Sequence, residues 1–285
     1  MGGSSAHYRL GLLLVTLSAI VWSTARLFTR MITVDSPTML FWRGMFGALG
    51  IAAFIFWRGG HSGTGKLSGP AWLYAVVSAA GMLCFITSLR HTSVAHAAII
   101  YAAVPLVAGA TAWVAIGETM TRRAMAASVA ALAGVAVMVG LGSDGTLFGD
   151  GLALLMTLAM AAMMIISRKA RDIPMLPAAA LSSLLSALAV LPLADIATVP
   201  SGEWPLLIGF GLVNSALGLA LFTLGAQRLP PAETGLIGAL DAPLAPVWVW
   251  LAFSETPSAA ALLGGAVVLA AVLYYLAQSY GRAAA

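Results

Sequence analysis

Charge is scarce in this sequence: Asp, Glu, Lys and Arg supply 8% of its 285 residues, against about 25% in a soluble domain. That shortage excludes a water-facing surface over most of the chain. Cysteine is almost absent. Cys84 stands alone inside an apolar run, which excludes an intrachain disulfide or a cysteine metal site. The four histidines, His7, His61, His91 and His96, include no His-x-x-x-His pair, so no metal and no other cofactor is expected. There is also no dense basic patch. The formal charge of +4 comes from residues scattered between apolar runs, so nucleic acid is not an expected partner.

What fills the sequence instead is apolar residues, 61% of the chain, with a mean hydropathy of +0.97. Apolar runs lie at 10–32, 36–57, 70–90, 94–116, 122–141, 149–168, 174–194, 204–227, 231–253 and 257–280. Each is near the length that crosses a ~30 Å hydrocarbon core. Breaker residues separate them, such as Asp35-Ser36-Pro37, Gly142-Ser143-Asp144-Gly145 and Arg228-Leu229-Pro230-Pro231. Unpaired backbone groups are too costly in lipid, so the runs should be helices; the short alternating segments of a barrel are missing. The expected fold is an all-α membrane protein of ten transmembrane helices, with the lipid bilayer as its first partner. Arg9, an apolar stretch and Ser23-Thr24-Ala25 also resemble a signal peptide. Removing that segment, however, would leave nine spans and break the repeat described next.

Basic residues mark the cytoplasmic side. With the N-terminus inside, ten of the 14 basic residues fall in inner segments: Arg9, Arg58, Lys66, Arg122, Arg123, Arg168, Lys169, Arg171, Arg228 and Arg282. Asp35, Asp144, Asp150, Asp195, Glu203 and Glu255 fall outside, with Arg90 as the basic exception. Both termini are therefore expected in the cytoplasm and the protein in a bacterial inner membrane.

Internal similarity divides the chain. Pro105-Leu106 is followed by Glu118-Thr119, and Pro243-Leu244 by Glu255-Thr256; Arg90 and Arg228 each lie fifteen residues before their proline. The expected units are residues 10–141 and 149–280, with five spans each. Five is odd, so the halves should face opposite ways, an inverted repeat of the kind that builds many secondary transporters.

Ten spans, two five-span repeats, Trp22-Ser23, Arg43 and the Pro105…Gly117-Glu118 ending of the fourth span resemble the EamA branch of the drug/metabolite transporter superfamily. The resemblance runs from about residue 10 to 280. Ala162-Met163 stands where the second half would repeat Trp-Ser, no arginine repeats Arg43, and Ser254 rather than glycine precedes Glu255. The resemblance implies a central cavity lined mainly by spans one, three, four, six, eight and nine. Within the superfamily the chain is most similar to exporters of aromatic and other neutral amino acids.

Two catalytic motifs are nearly spelled. Gly60-His-Ser-Gly-Thr-Gly-Lys-Leu67 ends in leucine where a P-loop needs a hydroxyl for magnesium, and no strand precedes it. Gly238-Ala-Leu-Asp241 lacks the second glycine of intramembrane aspartyl proteases, and no second acid pairs with it. Neither supports an enzyme, and without a nucleotide site transport must be secondary or facilitated.

Ionisable groups inside a span cost about 2.5–3.5 kcal/mol on insertion scales and mark functional candidates. Asp241 lies near the middle of the ninth span, followed by Pro243 and Pro246, which free backbone carbonyls beside it; the alternative for it is a structural salt bridge. Arg26 and Arg30 lie one turn apart on the first span. Arg30, near its end, has Asp35 as an expected structural partner, and Arg43 also reads as structural. The candidate substrate site comprises Trp22, Arg26, Ser78, His96, Tyr101, Met163, Asn214, Ser215 and Asp241, with Met164 beside it and Pro105, Pro243 and Pro246 as gating positions. Each of these polar or apolar positions has a plainer alternative: helix–helix hydrogen bonding, interfacial anchoring or packing. Trp248 and Trp250 read as belt residues at the outer interface.

The expected function is export of a small-molecule substrate, an amino acid with a large neutral side chain, by a monomer or weak homo-oligomer. Arg26 would meet its carboxylate and Asp241 an ammonium group or a proton. The alternatives are a carrier for cationic or apolar drugs, to which Arg26 would be a liability, and a sugar-phosphate or nucleotide-sugar antiporter, which would want more cavity cations.

Overall fold

The computed structural model describes residues 2–57, 67–140 and 146–282. The near-P-loop stretch at 60–66, Arg58, the turn at 142–145 and residues 283–285 lie outside the described residues, as do the side chains of Arg90 and Arg282.

Among the described residues every long element is helical, and nine helices are long and apolar enough to cross a membrane. They are α1 (Ser5–Met31), α2 (Ser36–Trp57), α4 (Ala95–Ile116), α5 (Arg122–Val139), α6 (Leu147–Lys169), α7 (Leu176–Leu193), α8 (Ser201–Ala226), α9 (Pro231–Phe253) and α10 (Ala259–Tyr280). The tenth, α3 (Gly69–His91), runs unbroken over 23 residues. The fold class expected from the sequence is the one observed.

Small polar residues start these helices. Thr121 accepts from the Ala124 amide at 3.2 Å ahead of α5, and Ser258 accepts from the Ala261 amide at 3.1 Å ahead of α10. These two caps occupy equivalent places in the two halves. So do the helix ends before them: α4 stops at Gly117, with φ +71°, and α9 at Ser254, with φ +56°. A left-handed C-terminal residue is usually glycine, because a Cβ there is strained. The second half keeps the conformation with serine where the first half has glycine.

The halves pack through pairings that exchange into one another. α3 against α6 has its counterpart in α1 against α8, α3 against α7 in α2 against α8, and α4 against α6 in α1 against α9. The pairings α2–α7, α4–α9 and α5–α10 are their own images. Such a set is what a two-fold relation between halves requires. Small residues let the backbones approach. A Cβ on Gly134 of α5 would sit 2.7 Å from the Gly264 carbonyl oxygen of α10. Leucines and tryptophans cover the outside, as on α1 at Leu10, Leu13, Leu17 and Ile20, a stripe that suits lipid.

Three helices are interrupted mid-span. α1 breaks at Thr24, α4 at Ala103 and α9 at Ala239–Leu240. In α4 and α9 the cause is Pro105 and Pro243, which lack the amide that would continue the ladder. In α1 two hydroxyls do the work: Ser23 donates to the Ile20 carbonyl and Thr24 to the Val21 carbonyl, both at 2.6 Å. α8 instead carries a wide π turn over Gly211–Leu217.

Candidate functional site

The three breaks place the chain's mid-membrane chemistry. Asp241 is the first residue after the break in α9, Arg26 follows the break in α1 by two positions, and Tyr101 precedes the break in α4 by two. Asp241 lies within electrostatic range of both Arg26 and Tyr101. No ion pair within 4.0 Å joins Arg26 to Asp241 among the described residues. Arg26 is exposed and Asp241 half-buried. A cation and an anion thus face a common region without neutralising each other.

An apolar wall adjoins them. Trp22 stacks on Phe222 with ring centroids 4.9 Å apart and, with Tyr101 and Met160, packs on a buried cluster that includes Val104, Met164 and Phe222. The indole is fixed by a 3.1 Å hydrogen bond to the Asn214 carbonyl in the π turn of α8. Gly218 makes room for it: a Cβ there would come within 2.5 Å of the indole nitrogen.

The other sequence-selected residues lie elsewhere or hold helices together. The Asn214 amide donates to the Val21 and Trp22 carbonyls at 3.4 and 3.3 Å, bracing the end of α1 ahead of its break. Ser215 accepts from the Arg43 Nε at 3.1 Å, and the guanidinium lies over the Phe210 ring, so Arg43 joins α2 to α8. Ser78 accepts a hydrogen bond of 2.5 Å from Ser182, joining α3 to α7. His96 sits near the start of α4 against both Asp150 oxygens at 3.2 Å, beside Thr92, which donates to the same carboxylate. Met163 is buried in a cluster with Ile51, Tyr74 and Met175, whereas Met164 belongs to the cluster on which Trp22 packs, and Met160 adjoins both. Pro105 and Pro243 flank the breaks, and Pro246 lies within the last segment of α9.

Three contacts differ from the sequence-based expectation. Arg30 pairs with Glu255 rather than Asp35, because the Asp35 carboxylate caps α2 by accepting from the Thr38 amide at 3.1 Å. Trp248 is no simple belt residue: its indole donates to Ser23 at 2.7 Å, tying α9 to the break in α1. Glu233 is a buried acid that the sequence did not flag; Tyr8 donates to it at 2.6 Å. It lines a cavity of about 70 Å³ with Glu118, Thr119 and Met120. It lies only two residues into the ninth run, where an acid reads as an edge residue, and its tyrosine partner is 225 positions away.

Related proteins share the whole architecture. A crystal structure superposes with a TM-score of 0.81 over 94% of this chain and 97% of its own, at 19% identity. A protein of Archaeoglobus fulgidus named as an uncharacterized transporter is 25% identical over 266 residues, covering 93% of this chain and 96% of its own. The EamA-like transporter family matches the chain twice, over residues 9–140 and again over 147–277. This chain, a multi-pass membrane protein of two repeats, belongs to the EamA-like transporter family.

Proposed function

We propose that the protein is a secondary exporter of amino acids with large neutral or aromatic side chains. The observation that carries this reading is the unneutralised pair formed by Arg26 and Asp241 at the junction of three broken helices, with the Trp22–Phe222 wall beside it. A zwitterion has complementary charges: its carboxylate meets the guanidinium, its ammonium the carboxylate of Asp241. Freed carbonyls at interrupted helices add acceptors for the ammonium, as is common at transporter midplanes. The aromatic and methionine wall accepts an apolar side chain.

Transport proceeds by alternating access, as the two halves rock about this site. The N-terminus and C-terminus lie in the cytoplasm of a bacterial cell, as the distribution of basic residues favours. Residues 10–141 and 149–280 act as the two moving units. Ser78, His96, Asn214 and Ser215 serve the site indirectly through the helix contacts they make, and Pro105, Pro243 and Pro246 set its hinge points.

The test is uptake into liposomes holding the purified protein, screened with radiolabelled neutral amino acids, organic cations and sugar phosphates. Saturable uptake of phenylalanine-like substrates, lost in Arg26→Gln, supports the proposal. Uptake of organic cations alone, unaffected by Arg26→Gln, would sink it in favour of a cation carrier that uses Asp241 only.

A further inference from the structure

Two ion pairs at opposite ends of the molecule are images of one another. Arg30 lies in the last turn of α1 and pairs with Glu255 in the turn between α9 and α10. Arg168 lies in the last turn of α6 and pairs, at 2.9 Å, with Glu118 in the turn between α4 and α5. Arg168 follows Arg30 by 138 positions and Glu255 follows Glu118 by 137, which is the spacing of the two repeats. The left-handed residues Gly117 and Ser254 deliver the two glutamates. Each arginine also stands at a helix C-terminus, where a cation is favoured.

Each pair spans the line along which one end would open. The Arg30–Glu255 pair holds α1 to α9, the helices that carry Arg26 and Asp241. The Arg168–Glu118 pair holds α6 to α4, the helices that carry Met160 and Tyr101. Both pairs are formed in this structure. We infer that the two pairs are alternating latches: the Arg30–Glu255 pair parts when the site opens to the outer side, and the Arg168–Glu118 pair parts when it opens to the cytoplasm. This rests on the alternating-access reading but not on the identity of the substrate. The latches are not equal. The side chains of the first pair are 52% and 48% exposed, those of the second 22% and 33%. Solvent weakens the first pair more, so the outer end opens more easily.

A reporter cysteine tests this without any substrate. Cys84→Ala removes the native thiol and Met160→Cys places one against the buried cluster on which Trp22 and Tyr101 also pack. Labelling by a membrane-impermeant maleimide is then followed in right-side-out and inside-out vesicles. Glu255→Gln should raise labelling from the outer face about 1.4- to fivefold, the range for losing an exposed pair. Glu118→Gln should raise labelling from the opposite face, by more. The double change Arg30→Glu with Glu255→Arg restores the attraction and should return labelling to the parent rate, which separates latching from misfolding. Both single changes acting at one face, or neither changing the rate, would overturn the inference, as would a reversed pair that stays at the Glu255→Gln level. Failure of the amino-acid reading would leave these labelling rates untouched.

Discussion

Asp241 carries the sharpest consequence at the scale of single residues. No cation lies within 4.0 Å of it among the described residues, so Asp241→Asn strands no partner. The loss of about 3–5 kcal/mol that follows breaking a buried pair is therefore not expected. Thermal midpoint and yield in detergent should stay near those of the parent while transport in liposomes falls severely. A collapse of stability together with activity would make Asp241 a structural residue. Ser254 yields a prediction of opposite sign. It holds φ at +56°, where a side chain is strained and glycine is not. Ser254→Gly should stabilise the protein by about 0.5–1 kcal/mol, read as a raised unfolding midpoint. A lowered midpoint would mean that the serine contributes more than its backbone costs.

At the scale of elements, the broken helices show what sequence reading reaches and what escapes it. Pro105 and Pro243 announce the interruptions in α4 and α9, since the missing amide can be read directly. The interruption in α1 has no proline or glycine; it depends on Ser23 and Thr24 hydroxyls turning back onto carbonyls, a choice any serine or threonine can decline. The π turn of α8 is equally silent, because it becomes visible only once Trp22 is seen to donate to Asn214 across 192 positions. Arg26, Tyr101 and Asp241 were legible as candidates since charge and aromatic hydroxyls are scarce in the spans. Asn214, Ser215 and Ser78 were legible as polar, but only packing tells a helix joint from a cavity lining. The turn of α8 can be tested through Gly218. Its Cβ in Gly218→Ala would crowd the Trp22 indole at 2.5 Å, an overpacking that costs about 1–3 kcal/mol. The indole should be displaced, and KM for large neutral substrates should rise more than kcat falls. Unchanged kinetics with an unchanged indole fluorescence spectrum would show that the turn yields instead.

For the whole molecule, counting spans gives the expectation that the halves face opposite ways, and the charge distribution gives the expectation that both termini are cytoplasmic. A reporter fused after the last residue, Ala285, should behave as cytoplasmic. Periplasmic activity there would reverse the orientation or change the number of crossings. Superposing residues 10–141 on 149–280 should need a two-fold axis in the membrane plane; an axis along the membrane normal would remove the opposite orientation of the halves. Sequence alone could not supply the partners across the seam, such as Glu255 for Arg30, because a contact between positions 225 apart leaves no local trace.

The repeat spacing of 138 has one more implication. Counting forward or back by it, Trp22 corresponds to Met160, two positions before the Ala162 expected from the motif, Arg26 to Met164, Tyr101 to Ala239 and Asp241 to Ala103. None of the site's charges or aromatic rings has been copied. The framework is duplicated and the chemistry is not. A descendant of such a chain is free to exchange its cargo by altering a few unduplicated side chains, while the matched joints at both ends go on working as before.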